Sequence, residues 1–319
     1  MRRGPVVRCA RPARIPIFLV AALAVAGATA VSAIEPPPGS RLPESFGQAT
    51  ADFAAGNFPA CRLGFLVAAQ GAERAGLAAR AYYGSACCAA LAGRSDEAFD
   101  ALALAVANGY REVERATIDP RLASLYGDLR WSGFLRQVEE QQQAYRLRLD
   151  PELLALYEEA EQANDPRNPG TPDAAAAEAR RERALAFVDK GRIRHPGDAF
   201  RAAAILVESP LLENVARARA LAHRALELDP DLLEARPLYA QALDREKLLA
   251  GEPQVFGTQL VSRDGRWAIY DCDPATTDAD RAAWGVPSLD ELRRRGDGLP
   301  PPAPPAAPTP PSAAKPPGN

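Results

Sequence analysis

Histidine is almost missing from this chain: His195 and His223 are the two in 319 residues. His195 precedes Pro196 and reads as a solvated turn residue; His223 lies in an Arg/Ala-rich stretch and reads as surface or packing. Neither stands beside a nucleophile motif, and no Gly-x-Ser-x-Gly elbow occurs, so serine-type hydrolysis has no recognisable machinery. Cysteine is sparse, and its spacing does not suit zinc, which asks for Cys or His pairs at short repeated separations. A phosphate-cradling glycine loop is absent. So is a basic stripe with interleaved aromatics, which leaves nucleic acid without an electrostatic footing. The aspartates at 271, 273, 278 and 280 fail the calcium-loop pattern, because its sixth position is Thr276 and its twelfth Ala282. Paired carboxylates for glycoside chemistry cannot be singled out among so many helix acids. No cofactor and no metal are implied.

What is present points to export and to helices. Arg2, Arg3, Arg8, Arg11 and Arg14 make an acid-free basic start, followed by an apolar run from Ile17 to Ala26 and small residues. Ala28-Thr29-Ala30 and Val31-Ser32-Ala33 both fit a small-x-small cleavage site, so residues 1–33 are expected to be a signal peptide. The alternative is an uncleaved anchor. Cleavage leaves no membrane span, and it takes 38 basic against 41 acidic residues to 33 against 41, net −8. The expected location is periplasmic or secreted. Cys61, Cys87, Cys88 and Cys272 survive cleavage, and an oxidising compartment permits disulfides. Vicinal Cys87 and Cys88 share one helix about 100° apart. Cys61 is therefore expected to reach one of them, Cys88 or Cys87, unless all are simply small buried hydrophobes.

Residues 34–43 read as a Pro-rich linker. Helices are expected at Glu44–Ala55, Pro59–Gln70, Glu73–Ala92 and Asp96–Ala107. Gly93 and Gly109 stand where a left-handed terminator is wanted. Ser95 is placed to cap the fourth helix, with Asp96 and Glu97 in its first turn. Gly56, Phe58, Cys61, Phe65 and Ala68 recur at the same offsets as Gly93, Ser95, Ala98, Leu102 and Ala105. This pattern resembles the tetratricopeptide repeat, in which a glycine turn is followed by small residues five and twelve positions on. It departs from the family in lacking the Trp-Leu-Gly signature of the first helix. The 37-residue glycine spacing also exceeds the family's period of about 34. The stretch from Leu122 to Leu135 resembles the closing segment that follows such repeats in bacterial proteins, with Trp131 and Phe134 sealing the last apolar face.

The domain from 44 to 147 is thus expected to be tetratricopeptide-like, and a second runs from 148 to 297. In the second, Asp150 caps a helix with Pro151 at its first position. A loop covers 164–173, and helices follow at about 173–190, 198–208 and 210–228. Pro237 is expected to kink or restart the next helix, which ends near Ala250 before Gly251. Val255–Val261 and Trp267–Tyr270, about the turn Arg263-Asp264-Gly265, read as the single β-hairpin. Short helices are expected at Asp278–Trp284 and Ser288–Arg295. Residues 298–319 are Pro-rich and expected to lack a packed structure. The fold class is mainly α: helical hairpins sharing one continuous apolar seam, then a helical domain with one β-hairpin.

Residues 243–287 carry a second resemblance, on Leu243-Asp244-Arg245, Gly251-x-Pro253-Gln254-x-Phe256-Gly257-Thr258-Gln259 and Asp278-x-x-Arg281-Ala282-x-x-Gly285. The string is similar to that of a bacterial family without an assigned activity. The resemblance implies helices with one hairpin and no chemistry. The family's Gln-His pair has no counterpart; Glu208 and His223 fall in its place. Asp244, Arg245, Gln254, Gly257, Thr258 and Gln259 are the candidate binding residues. They form either a polar lock holding the hairpin to the helices or a ligand or peptide site. On an extended segment Gln254 and Gln259 would project to opposite faces. Arg245 would pair with a carboxylate or cap hairpin carbonyls. The expected function is a protein interaction module or scaffold with a protein or peptide partner. The alternatives are a hydrolytic or ligand-binding enzyme sited at the hairpin, and a structural envelope protein.

Overall fold

The computed structural model describes residues 42–165 and 173–299. Residues 1–33, expected to be a signal peptide, most of the expected linker, most of the 164–173 loop and residues 300–319 lie outside the described residues. Within them the chain is mainly α, with one two-stranded antiparallel hairpin.

The helices run α1 (Glu44–Ala54), α2 (Phe58–Gln70), α3 (Ala75–Leu91), α4 (Ser95–Ala107) and α5 (Val113–Ile118). A 3₁₀ turn (Pro120–Leu125) and α6 (Leu129–Arg146) follow. Then come α7 (Pro151–Asn164), α8 (Ala174–Asp189), α9 (Pro196–Leu206), α10 (Leu212–Leu228) and α11 (Ala235–Leu249). The chain finishes with β1 (Leu260–Arg263), β2 (Arg266–Ile269), α12 (Asp278–Ala283) and α13 (Leu289–Asp297).

The first two hairpins are built by the same turn. Gly56 and Gly93 have φ of 73° and 74°, conformations that L side chains resist. The residue after each donates its N–H to the carbonyl five positions back, Asn57 to Asp52 and Arg94 to Ala89, at 2.9 Å in both. The helices that follow bury the same offsets: Cys61, Phe65 and Ala68 in α2, and Ala98, Leu102 and Ala105 in α4. Ser95 does not cap α4. The glycine turn closes so tightly that Arg94 takes the cap position without a side-chain bond, and Ser95 is already helical. Asp150 does cap α7, accepting from Glu152 and Leu153, with Pro151 at the first position. Pro237 falls in the first turn of α11, where its missing N–H costs nothing, so the helix starts there rather than kinking.

The apolar seam is divided, not continuous. One core joins α3 and α4 to Leu122, Leu125, Trp131, Phe134 and Val138. A separate one is built from α7 to α12 around Leu156, Leu206, Leu226, Tyr239, Phe256 and Trp284. The extensive helix-on-helix packing lies within each half, α6 touching α7 and the start of α9 only near the crossing through Leu147–Asp150. The aromatic closing segment ends the first core, so the second must enclose its own.

The hairpin is shorter than its sequence suggests. Asp264 and Gly265 both have positive φ, the primed turn that matches strand twist, and β1 pairs with β2 from Leu260↔Ile269 to Arg263↔Arg266. Val255–Gln259 is not strand. Gly257, at φ 87°, bends the segment, and its N–H groups are turned onto a side chain of α11.

Candidate functional site

The side chain that takes those N–H groups is Asp244, fully buried in α11. Its Oδ1 accepts from the amides of Val255 and Phe256 at 2.7 and 2.9 Å. Its Oδ2 accepts from the Thr258 amide at 2.9 Å and the Thr258 hydroxyl at 2.8 Å. Four donors on one carboxylate fill its acceptor positions. Burial nonetheless raises its pKa above the ordinary aspartate value.

Gln254 and Gln259 do not project to opposite faces. The bend at Gly257 brings them together: Gln254 Oε1 accepts from the Gln259 amide at 2.8 Å, and Gln254 Nε2 donates to the carbonyls of Gln259 and Tyr270. Gln259 Nε2 donates to Gln241 O and to Thr258 Oγ1. A Cβ at Gly257 would meet Leu289 at 3.0 Å, so α13 packs against a position without a side chain. Arg281, buried, donates to Phe256 O and Thr276 O and completes the clasp. Arg245 turns the other way. It caps the carbonyls of Glu208 and Ser209 after α9, touching neither a carboxylate nor the hairpin. Five of the six candidate residues thus converge, and what they make is internal bonding. A hollow of about 630 Å³ lies beside them, between β2 and α13, with Trp267, Tyr270 and Arg293 on its walls.

A second open feature lies elsewhere. Gly76, Ala79, Arg80, Tyr83 and Gly84 recur at helical spacing on one face of α3, and that face lines two adjoining hollows of about 540 and 300 Å³. The smaller is aromatic, walled by Phe46, Phe53, Phe65, Tyr83 and Tyr110, with Arg115 and Arg121 at its edge. Tyr83 stacks on Tyr110 with centroids 4.4 Å apart, and Phe46 meets Phe65 edge-on at 5.0 Å. Tyr83 donates its hydroxyl to Asp119 at 2.9 Å, and Arg121 grips the same carboxylate. The larger hollow is polar. The Arg111 guanidinium lies 4.0 Å over the Tyr145 ring, beside Arg148 and His195.

His195 is half-buried, not solvated. Its Nδ1 accepts from the Gly197 amide and caps α9, and its ring meets Tyr145 edge-on. Burial and the nearby arginines lower its pKa, which favours the neutral ring. His223 pairs with Glu227 at 3.2 Å on the surface of α10.

The connection between α10 and α11, Asp229–Glu234, runs into this groove. Arg74 holds Asp231 through Nε and Nη2, at 3.1 and 3.0 Å, and Arg80 adds a third bond at 3.1 Å. Gly76 makes the room, since a Cβ there would lie 2.7 Å from that of Asp231. Leu233 lines both hollows. Sequence reasoning missed this junction. Its one local signal was Gly76, a glycine inside a helix with no turn to make.

Cys61 and Cys88 form a disulfide, Cα to Cα 6.0 Å, tying α2 to α3. Cys87 is a buried thiol near Asp119, and burial pushes it up to about 12, which makes it a poor nucleophile. Among the described residues no cluster of three His, Cys, Asp or Glu is placed to hold a metal, and no helix is long and apolar enough to cross a membrane. Asp278 and Asp280 serve local roles: Asp280 completes the Thr277 capping box, and Asp278 accepts from Leu289 and Arg281. Comparison with protein-family models, with characterised proteins and with solved structures finds no match.

Proposed function

We propose that this chain is an exported, tetratricopeptide-like protein that works as an interaction module or scaffold, seating a protein or peptide segment in the groove along α3. The observation that carries the reading is the groove itself. Rigid aromatic walls stand beside arginines on a helical face, the combination that dominates binding energy at interfaces. The Cys61–Cys88 disulfide supports an oxidising compartment, periplasmic or secreted, in keeping with an export signal at residues 1–33. The rival reading, an enzyme at the hairpin, has little to build on. The acceptor positions of Asp244 are filled by internal donors, and Arg245 caps α9.

A photo-crosslinking residue at Thr50, exposed on the groove rim, tests the reading in native cells against one at Leu104, exposed elsewhere. Discrete adducts from position 50 that are absent from position 104 are expected. Equal or no adducts from both would remove the groove as the partner's seat.

A further inference from the structure

We infer that the α10–α11 connection is an internal ligand of this groove, and that the partner presents the same chemistry: a carboxylate followed two residues later by leucine. The inference rests on the reading of the groove as a partner's seat and names what that seat accepts.

Two guanidiniums converge on the single carboxylate of Asp231, whose side chain is 10% exposed. A third cation, Arg236, sits close by at 8% exposure. It donates to the Pro230 carbonyl at 3.4 Å, and its Nε has no hydrogen-bond partner. One carboxylate therefore stands among three arginines, a local surplus of positive charge. Asp229 and Glu234 also line the larger hollow, yet both belong to the connection and leave with it. Once it withdraws, Arg74, Arg80 and Arg111 lose these acids, while Arg115 stays paired with Glu112 and Arg121 with Asp119. The emptied groove carries a net positive charge beside an aromatic floor, and it selects an acidic segment with an apolar anchor.

The connection supplies both features. Asp231 meets the arginines, Leu233 lines the aromatic hollow, and Leu232 between them turns into the second core at 1% exposure. That placement lets the connection move with its own half. Other cross-half contacts, Tyr145 on His195 and at Gly197 and the Arg146–Glu158 ion pair, lie beside the Leu147–Asp150 crossing. Opening about that crossing would break the Asp231 contacts, which lie away from it. A partner must then compete with a tethered segment at high effective concentration, so its apparent affinity is reduced by the closed fraction.

The test uses a labelled peptide of residues 228–235, Leu-Asp-Pro-Asp-Leu-Leu-Glu-Ala, titrated by anisotropy against the full chain. The intact protein should bind it weakly. Asp231→Asn, which frees the two arginines, should bind about tenfold tighter or better. Leu233→Ser, opening the groove from its apolar side, should do the same. Adding Arg80→Ala to either variant should abolish the gain, as should asparagine at the peptide's second aspartate. Peptide binding that is no tighter in both opened variants, or that ignores Arg80, overturns the inference. A random peptide selection on Asp231→Asn separates the two readings. Selected peptides that crosslink from position 50 but lack an acidic-x-leucine pattern would overturn the internal-ligand chemistry and leave the groove as a seat. No selected peptide at all would overturn both.

Discussion

Asp231, just before α11, and Asp244, near its end, are each held by several donors, and they differ in what holds them. Asp244 is enclosed by backbone amides and a hydroxyl from its own half of the molecule. Asp231 is gripped by two guanidiniums from the other half. Backbone amides cannot leave their acceptor unless the segment carrying them unfolds, so the first arrangement is a fixed part of the fold. Arginines on flexible stems can exchange one carboxylate for another, so the second can open while both halves stay folded. The same residue type thus makes a permanent joint in one place and a removable one in the other.

The contrast can be broken most severely at Asp244. Asp244→Ala orphans three amides and a hydroxyl, the Phe256 amide buried and the rest part-buried, and should cost about 3–5 kcal/mol, read as a lowered urea midpoint. A loss well under 1 kcal/mol would show that the segment is held by something else. Next, Cys61→Ser with Cys88→Ser should cost about 3–4 kcal/mol by the loop-entropy estimate. That loss should fall on α1–α4, with amide exchange in α10 and α11 unchanged; a uniform loss would show the halves to be one cooperative unit. Asp231→Asn should cost less, about 1–2 kcal/mol, because its pairs are partly solvated and both cores remain intact. Its signature is a wider separation between the unfolding transitions of the two halves.

The smallest effect is a difference in pH response. Burial alone would raise Asp119, but the bonds from Arg121 and Tyr83 outweigh it and hold the carboxyl below its ordinary value. Its stabilisation is present above the unfolded carboxylate pKa and lost as pH falls through the lower folded value. Asp244 is raised by burial, so its contribution is complete below the unfolded pKa and lost as pH rises through the folded one. Acidification from about pH 6 to about pH 3 should therefore weaken the first half relative to the second. Amide exchange in α3 against α11 reads the difference, and parallel changes in both would sink the assignment.

Much of the fold was legible because its signals are local. Gly56 and Gly93 demand left-handed turns, Asp150-Pro151 opens a helix, and Asp264-Gly265 closes a hairpin, each through the conformational preferences of a few adjacent residues. The string from Asp244 to Gln259 also stood out, but its geometry was misjudged. Alternation was assumed where Gly257 bends the chain, and an amide counted as a ladder donor in sequence is free to turn onto a side chain. Ser95 failed for a related reason, since the turn at Gly93 leaves one cap position, which Arg94 takes, and serine falls inside the helix. The groove had no such signal: Arg74 and Asp231 lie 157 residues apart, and nothing in the spacing of either selects the other.

What the sequence determined by itself is therefore the set of pieces: helices, turns, the hairpin and the apolar faces, all fixed by interactions among near neighbours. Which arginines meet which aspartate, and that the first half's groove is filled by the second half's connection, was decided by the relative orientation of two separately packed cores. Charged pairs carry no register of their own, because any of many arginines satisfies a carboxylate equally well until the folded backbones bring particular ones within reach.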